Sequence, residues 1–245
     1  MKLTWHIRKQ LMTKESTPKV GLLVIATNKY ISFVDPLVES ADKWFLPECD
    51  VTYCIFTNNS KQLQTNRHFN MMQIEHEPWP APTLKRYDYF DQYEDYLKSF
   101  DYLYYCDADM KFVDMVGNEI LGELVSTLHP GFWGQLNLQF SYERRPNCKA
   151  YIPYGSGNAY YAGGFNGGNA EQFLKMSKII VSWRKEDEQN GLVPVWHDES
   201  YMNKYMYLKP PTKVLTPSYC YPESWNIPFE KKLLALDKNH SEMRS

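Results

Sequence analysis

Three strand-like runs dominate the first 106 residues: "KVGLLVIAT" (19–27), "CDVTYCIFT" (49–57) and "DYLYYC" (101–106). The first is leucine-rich and β-branched at consecutive rather than alternating positions, the pattern of a strand buried on both faces. Such a strand belongs in a sheet covered by helices on each side, and the intervening segments supply them. "SFVDPLVESADKWF" (32–45) places Phe33, Leu37, Val38, Ala41 and Phe45 at helical spacing, with Ser32 as N-cap and Pro36 in or near the first turn. Strand, helix and strand at this spacing predict a right-handed βαβ unit in a mainly parallel sheet.

The theme recurs downstream. "TLKRYDYFDQYEDYLKSF" (83–100) carries Leu84, Tyr87, Phe90, Tyr93, Leu97 and Phe100 on one stripe, with Thr83 placed to cap a single helix. Six of the twelve glycines crowd into residues 155–168, which marks backbone that turns tightly or lets a ligand come close. Beyond them, "AEQFLKMSKIIVSWRKE" (170–186) reads as an amphipathic helix, Asn190-Gly191 as a turn, "LVPVW" (192–196) as a short strand and "ESYMNKYMYL" (199–208) as another helix. The expectation is one α/β domain over residues 19–236, preceded by an arm or short helix (1–18) and followed by a flexible tail (237–245).

In open α/β sheets ligands bind beyond the carboxyl ends of the strands. Two aspartates, Asp107 and Asp109, stand at the end of the third run, and Thr27-Asn28 follows the first. A D-x-D pair in a chain with 29 acidic residues is in itself compatible with simple turn chemistry. The alternative is a pair of hard oxygen ligands with open positions, suited to Mn²⁺ or Mg²⁺ shared with a diphosphate. A second cluster, "WHDES" (196–200), allows the same two readings. Asp198 suits a helix N-cap and Glu199 the first turn, while the indole of Trp196 and the two acids also suit sugar binding and catalysis. His129 in "TLHPGF" is a loop residue bonding to backbone or a catalyst, and Lys85 and Arg86 form a solvated helix edge or a phosphate clamp.

The bulk numbers exclude other classes. A net charge of −2 without a basic block lacks the footprint of a nucleic-acid binder. No window approaches the apolar length of a membrane helix, and the first residues lack the core of a signal peptide. The five cysteines have no paired or zinc-like spacing, so reduced thiols in a soluble, cytoplasmic protein are the simpler expectation.

"TLHPGF", "YERR", "AYIP", "YYAGGFNGG", "VWHDESYMNKY" and "PPTKVL" occur in this order, and together they resemble glycosyltransferase family 6, which includes the histo-blood-group transferases and α1,3-galactosyltransferases. The resemblance runs from about Lys19 to about Asn239. It implies a GT-A fold and transfer of galactose or N-acetylgalactosamine from a UDP-sugar to a galactoside, fucosylated ones included, with retention of configuration. By the same resemblance Asp107-Ala108-Asp109 holds Mn²⁺, or Mg²⁺, against the UDP diphosphate. Ile25, Ala26, Thr27 and Tyr30 hold uracil and ribose, and Arg86 and Asp198 contact the donor. His129, Ser141 and Trp196 meet the acceptor. Glu199 faces the anomeric carbon as nucleophile or electrostatic stabiliser. Ala162-Gly163-Gly164 tunes donor choice, the small residues favouring N-acetylgalactosamine, and Lys238 in the basic tail, with Lys231, Lys232 and Arg244, folds over the donor. The absence of a membrane anchor and stem resembles the short soluble members of bacteria and their viruses. Two other readings stand beside this one, a lectin-like protein with a decayed site and an enzyme that mainly hydrolyses UDP-sugars.

Overall fold

The computed structural model describes residues 17–60, 62–239 and 243. Apart from Thr17 and Pro18, the arm read over residues 1–18 lies outside them. Strand β1 (Lys19–Ile25) is followed by helix α1 (Val34–Trp44) and β2 (Asp50–Thr57), then β3 (His68–Gln73). Short helices α2 (Ala81–Leu84), α3 (Arg86–Gln92) and α4 (Glu94–Leu97) lead into β4 (Tyr102–Cys106) and β5 (Met110–Phe112). Strands β6 (Leu124–Leu128) and β7 (Tyr161–Asn169), helices α5 (Ala170–Gln189) and α6 (His197–Leu208), and strands β8 (Lys213–Leu215), β9 (Tyr221–Pro222) and β10 (Leu233–Ala235) complete the chain.

The main sheet has seven strands in the order β3-β2-β1-β4-β7-β6-β8. Strands β3, β2, β1 and β4 are mutually parallel, β7 runs antiparallel to both neighbours, and β6 pairs parallel with β8. The α/β expectation with a mainly parallel sheet therefore holds. So does the reading of the first run. Leu23 and Ile25 pack on one face with Phe90, Phe173 and Tyr201, while Val20, Leu22 and Val24 pack on the other with Leu37, Val38 and Phe45. Helices α3, α5 and α6 cover the first face. The second is covered by α1 and by a small sheet of order β5-β10-β9.

Four local readings need correction. Ser32 does not cap α1; it lies in a 3-10 turn over Asn28–Phe33 and donates to the Lys29 carbonyl at 2.8 Å, although Pro36 does fall in the first turn of α1. The stripe over 83–100 is three short helices, broken where Lys85 and Tyr93 depart from helical ψ, so Thr83 sits inside α2 rather than at a cap. Residues 192–196 form a loop and not a strand. Pro194 lacks a donor for a ladder, and the flanking backbone is held by side chains instead: Val195 N–H donates to Glu143 at 3.0 Å and Arg145 donates to the Val193 carbonyl at 2.6 Å.

The glycine-rich segment is the fourth correction. Gly155 and Gly157 do lie in turn or loop backbone at φ +74° and +89°, but Gly163, Gly164, Gly167 and Gly168 belong to the strand β7, paired on both sides in the middle of the sheet. Glycine is needed there because neighbours approach too closely for a side chain. A Cβ on Gly167 would stand 2.3 Å from the Leu103 carbonyl oxygen and 2.5 Å from the Tyr104 ring, and Gly168 has φ +142° with the Glu123 carbonyl at 2.4 Å from the same position. Gly167→Ala is expected to destabilise the fold by about 3 kcal/mol or more, since backbone of a central strand must move. Gly191→Ala, with open space but φ +66°, should cost about 1 kcal/mol. Urea denaturation of the two variants checks the contrast; equal losses would contradict it.

Candidate active site

The parallel register sets the carboxyl ends of β1 and β4 side by side, with Leu23 opposite Tyr105. Strand β7 runs the other way, so its first residues reach the same edge: Cys106 pairs with Phe165, and Asp107 N–H donates to the Gly164 carbonyl at 2.9 Å. Helix α6 brings its amino-terminal acids to this corner. Asn203 locks it there, accepting from Tyr161 N–H at 2.9 Å and donating to the carbonyls of Tyr161 at 2.8 Å and Glu199 at 3.0 Å.

Arg86 is the centre. The break after Lys85 starts α3 afresh and turns Arg86 inward, where the residue is only 5% exposed. Its guanidinium donates to the Gly163 carbonyl at 2.6 Å and to Asp107 at 3.2 Å, lies 3.0 Å from Asp198 and stands 3.8 Å over the Tyr105 ring. Tyr105 in turn donates its hydroxyl to Asp107 at 2.6 Å. The solvated-edge reading is thereby excluded for Arg86, whereas Lys85 pairs with Glu77 at 2.6 Å. Asp198 is not the N-cap of α6. It lies one residue inside the helix, 1% exposed, after His197 in the left-handed region at φ +49°. Its Oδ2 and the Arg86 Nε are ion-paired without hydrogen-bond alignment, which leaves this carboxylate accepting capacity.

Glu199 is held at both oxygens. The Gly163 N–H donates to Oε2 at 2.7 Å and the Tyr160 hydroxyl to Oε1 at 2.8 Å. Burial is the largest influence on both acids, pushing Glu199 up to about 7 and Asp198 up to about 6. Those two hydrogen bonds oppose the rise at Glu199, and the Arg86 charge opposes it at Asp198.

Beside this cluster opens a cavity of about 390 Å³. Among the residues singled out from sequence, Ile25, Thr27, Tyr30, Arg86, Asp107, Ala108, Asp109 and Lys238 line it. Ala26 is buried beneath, its N–H bonded to the Phe56 carbonyl. Ala162, Gly163, Gly164, Asp198 and Glu199 lie outside its lining and connect to it through Arg86 and Asp107. Strand β10 pairs with β5 and carries Lys238 to an ion pair with Asp109. Lys231 and Lys232 point elsewhere, to the Tyr221 ring and to Glu119, and Arg244 lies outside the described residues.

The three residues read from sequence as acceptor contacts, His129, Ser141 and Trp196, are not in the lining of the cavity. His129 is half-buried, and its N–H donates to the carbonyl of Tyr160, the residue before β7, at 2.9 Å. Burial lowers its imidazole to about 4, so it is neutral, and Nδ1 accepts from Gly131 N–H at 3.0 Å. The proton therefore resides on Nε2, which makes that atom a donor. Ser141 lies between Phe140 and Tyr142, whose rings pack on Tyr160. Trp196 is 50% exposed, at the N-cap of α6 and two residues before Asp198.

Sequence reasoning missed Tyr105, Tyr160, His76, Glu77 and Trp79. All but Tyr160 line the cavity, with His76 Nδ1 3.1 Å from the Thr27 hydroxyl. Nothing in the local pattern of these residues distinguishes them from core aromatics or loop polar groups; only their neighbours across the fold do.

The residues fit a divalent cation shared with a substrate better than one caged by protein. Asp107 and Asp109 are hard oxygen donors on one turn, both lining the cavity. Among the described residues no group of three or more histidine, cysteine or acidic side chains converges as a metal site, so substrate oxygens and water would complete the shell. Four carboxylates (Asp107, Asp109, Asp198 and Glu199) face one guanidinium and one ammonium, an excess of negative charge that a diphosphate would deepen and a cation relieve.

A family model for glycosyltransferase family 6 matches residues 4–245. The chain belongs to glycosyltransferase family 6. It is similar to histo-blood group ABO system transferase 1 of Rattus norvegicus, 36% identical over 238 residues covering 92% of this chain and 68% of the relative. It is also similar to globoside alpha-1,3-N-acetylgalactosaminyltransferase 1 of Gallus gallus, 33% identical over 237 residues covering 92% and 69%. A bacterial relative, the O-antigen biosynthesis glycosyltransferase WbnI of Escherichia coli, is 29% identical over 223 residues covering 89% and 94%. The protein is accordingly a UDP-sugar glycosyltransferase with a single GT-A-like α/β architecture. All five cysteines are free, and among the described residues no helix is long and apolar enough to cross a membrane.

The raised value at Glu199 has a consequence for stability. Between its ordinary value of 4.5 and about 7 the folded state keeps a proton that the unfolded chain releases, so stability falls as pH rises through that window. Each unit of separation corresponds to about 1.4 kcal/mol. Glu199→Gln should remove this loss, so that its urea midpoint relative to the parent rises between pH 5 and pH 8 in donor-free protein. A difference that is the same at both pH values would contradict the assignment.

Proposed function

We propose that the protein is a retaining α1,3-glycosyltransferase that moves N-acetylgalactosamine from UDP-N-acetylgalactosamine to a galactoside acceptor, fucosylated acceptors included, in a reaction that needs Mn²⁺ or Mg²⁺. We take the catalytic unit to be residues 19–236 and the enzyme to act as a soluble cytoplasmic protein, a reading that the free thiols favour. The observation that carries the reaction is the two-point hold on Glu199 beside Arg86, Asp107 and Asp198.

In this reading the cavity between Thr27 and Asp109 takes the nucleotide, with Tyr30 and Trp79 offering ring faces and Thr27 and His76 polar atoms. Asp107 and Asp109 hold the cation, which when bound supplies positive charge to the departing diphosphate. Lys238 then exchanges its pair with Asp109 for phosphate oxygens. Arg86 keeps Asp107 and Asp198 in place, and Asp198, with accepting capacity to spare, grips a donor hydroxyl. His129 donates from Nε2 to the acceptor, and the exposed indole of Trp196 gives it an apolar face.

Retention requires the new bond to form on the face that the leaving group vacates. A carboxylate on the opposite face serves either as nucleophile in two inversions or as a fixed negative charge beside an oxocarbenium-like centre. Glu199 suits both roles, because its two hydrogen bonds hold the oxygens ready without reorganisation. Glycines at 163 and 164 support N-acetylgalactosamine as donor. A methyl group at 164 would come within 3.1 Å of Asp107 and 3.2 Å of Cys220, and one at 163 within 3.3 Å of Glu199. Glycine thus spares the carboxylates beside the proposed sugar site.

The test is a transfer assay in which UDP-N-acetylgalactosamine and UDP-galactose compete for a galactoside acceptor. We expect the acetamido sugar to dominate the product and Glu199→Gln to lower turnover by about a thousandfold while donor binding is roughly kept. Predominant galactose transfer would overturn the donor choice, near-normal turnover in Glu199→Gln would remove that residue from the chemistry, and UDP release that ignores the acceptor would favour a hydrolase. Treatment with EDTA should reduce transfer to background and added Mn²⁺ should restore it; full activity in chelator would end the metal assignment.

A further inference from the structure

The Glu199 carboxylate has one hold on each oxygen, and the two holds differ in kind. Gly163 N–H is backbone within β7, whereas the Tyr160 hydroxyl belongs to a side chain that has no place in the nucleotide cavity. The last torsion of a glutamate joins tetrahedral to planar carbon and is broad. One hydrogen bond leaves the carboxylate plane free to swing about the held oxygen; a second bond on the other oxygen fixes it. Tyr160 is itself rigid. It is buried, and its ring packs on Phe132 at 4.5 Å, Tyr142 at 5.3 Å and His129 at 5.6 Å between centroids. Its carbonyl accepts from the His129 N–H at 2.9 Å.

We propose that Tyr160 is the positioning residue of Glu199: its hydroxyl fixes the direction of the carboxylate, and its ring and carbonyl hold that direction in register with the loop bearing His129. The inference rests on the role given to Glu199 above. A carboxylate misaimed by a fraction of an ångström still leaves the donor and acceptor contacts in place, so the loss falls on the chemical step. Burial beside the Glu199 charge pushes the Tyr160 phenol above its usual range, which keeps it a donor at working pH.

Tyr160→Phe deletes the hydroxyl and keeps the ring. It is expected to lower kcat by about ten- to hundredfold, with both KM values within about twofold of the parent. Tyr142→Phe is the control for loosening of the cluster. It loses a hydroxyl of the same aromatic group, one bonded to the Ala159 carbonyl at 2.5 Å, and kcat should stay close to that of the parent. Because Tyr160 acts through Glu199, single-turnover rates of Glu199→Gln should not fall further when Tyr160→Phe is added. Near-normal kcat in Tyr160→Phe, an equal fall in Tyr142→Phe, or additive losses in the double variant would each overturn the role of Tyr160. These results leave the reading of Glu199 standing if Glu199→Gln alone is impaired. Parent-like turnover in Glu199→Gln would overturn both.

Discussion

The site depends on one buried cation. Arg86 has Asp107 and Asp198 within ion-pair distance, a backbone carbonyl of β7 at one nitrogen and an aromatic ring beneath. Charges withdrawn from water persist only where partners replace the lost hydration. Here the partners come from β4, β7 and α6, three elements far apart in the chain. Removing the guanidinium would leave Asp198 a buried charge without its partner, so the corner holds together as a unit or not at all. Burial raises Asp198 and Glu199 above the usual carboxylate range, and the shortage of positive charge around the four acids suits a divalent cation beside a diphosphate.

The reversal of β7 is the topological counterpart. A sheet of wholly parallel strands would bring only strand ends to the ligand edge. By running against β4, strand β7 delivers its beginning there, with Gly163, Gly164 and the preceding Tyr160 next to Asp107 and Glu199. Glycine serves two purposes along this strand. At Gly167 and Gly168 it admits neighbouring backbone; at Gly163 and Gly164 it admits carboxylates. A side chain at either of the last two positions would press on Asp107 or Glu199 first.

Legibility varied with the range of the forces involved. Strand β1 was readable because apolar side chains on both faces leave few alternatives, and α1 and α5 because their apolar stripes are local. The stripe over 83–100 misled: its aromatic spacing fits one helix, but breaks at Lys85 and Tyr93 divide it, and the first of these turns Arg86 inward. Residues 192–196 looked like a strand because valines flank a proline, yet their backbone partners are the side chains of Glu143 and Arg145. Asp198 looked like a cap because caps and buried acids share the same address at a helix start.

The amino-acid sequence alone determined the α/β class, the parallel core around β1 and, through its ordered motifs, the family. It also marked Asp107, Asp109 and Glu199 as the acids to watch. Tertiary structure decided which acid meets which partner: Asp198 with Arg86, Asp109 with Lys238, Glu199 with Tyr160 and Gly163. Apolar periodicity is set by neighbours three or four residues apart. Hydrogen bonds and ion pairs at the corner join residues up to 129 positions apart, and no local pattern encodes them.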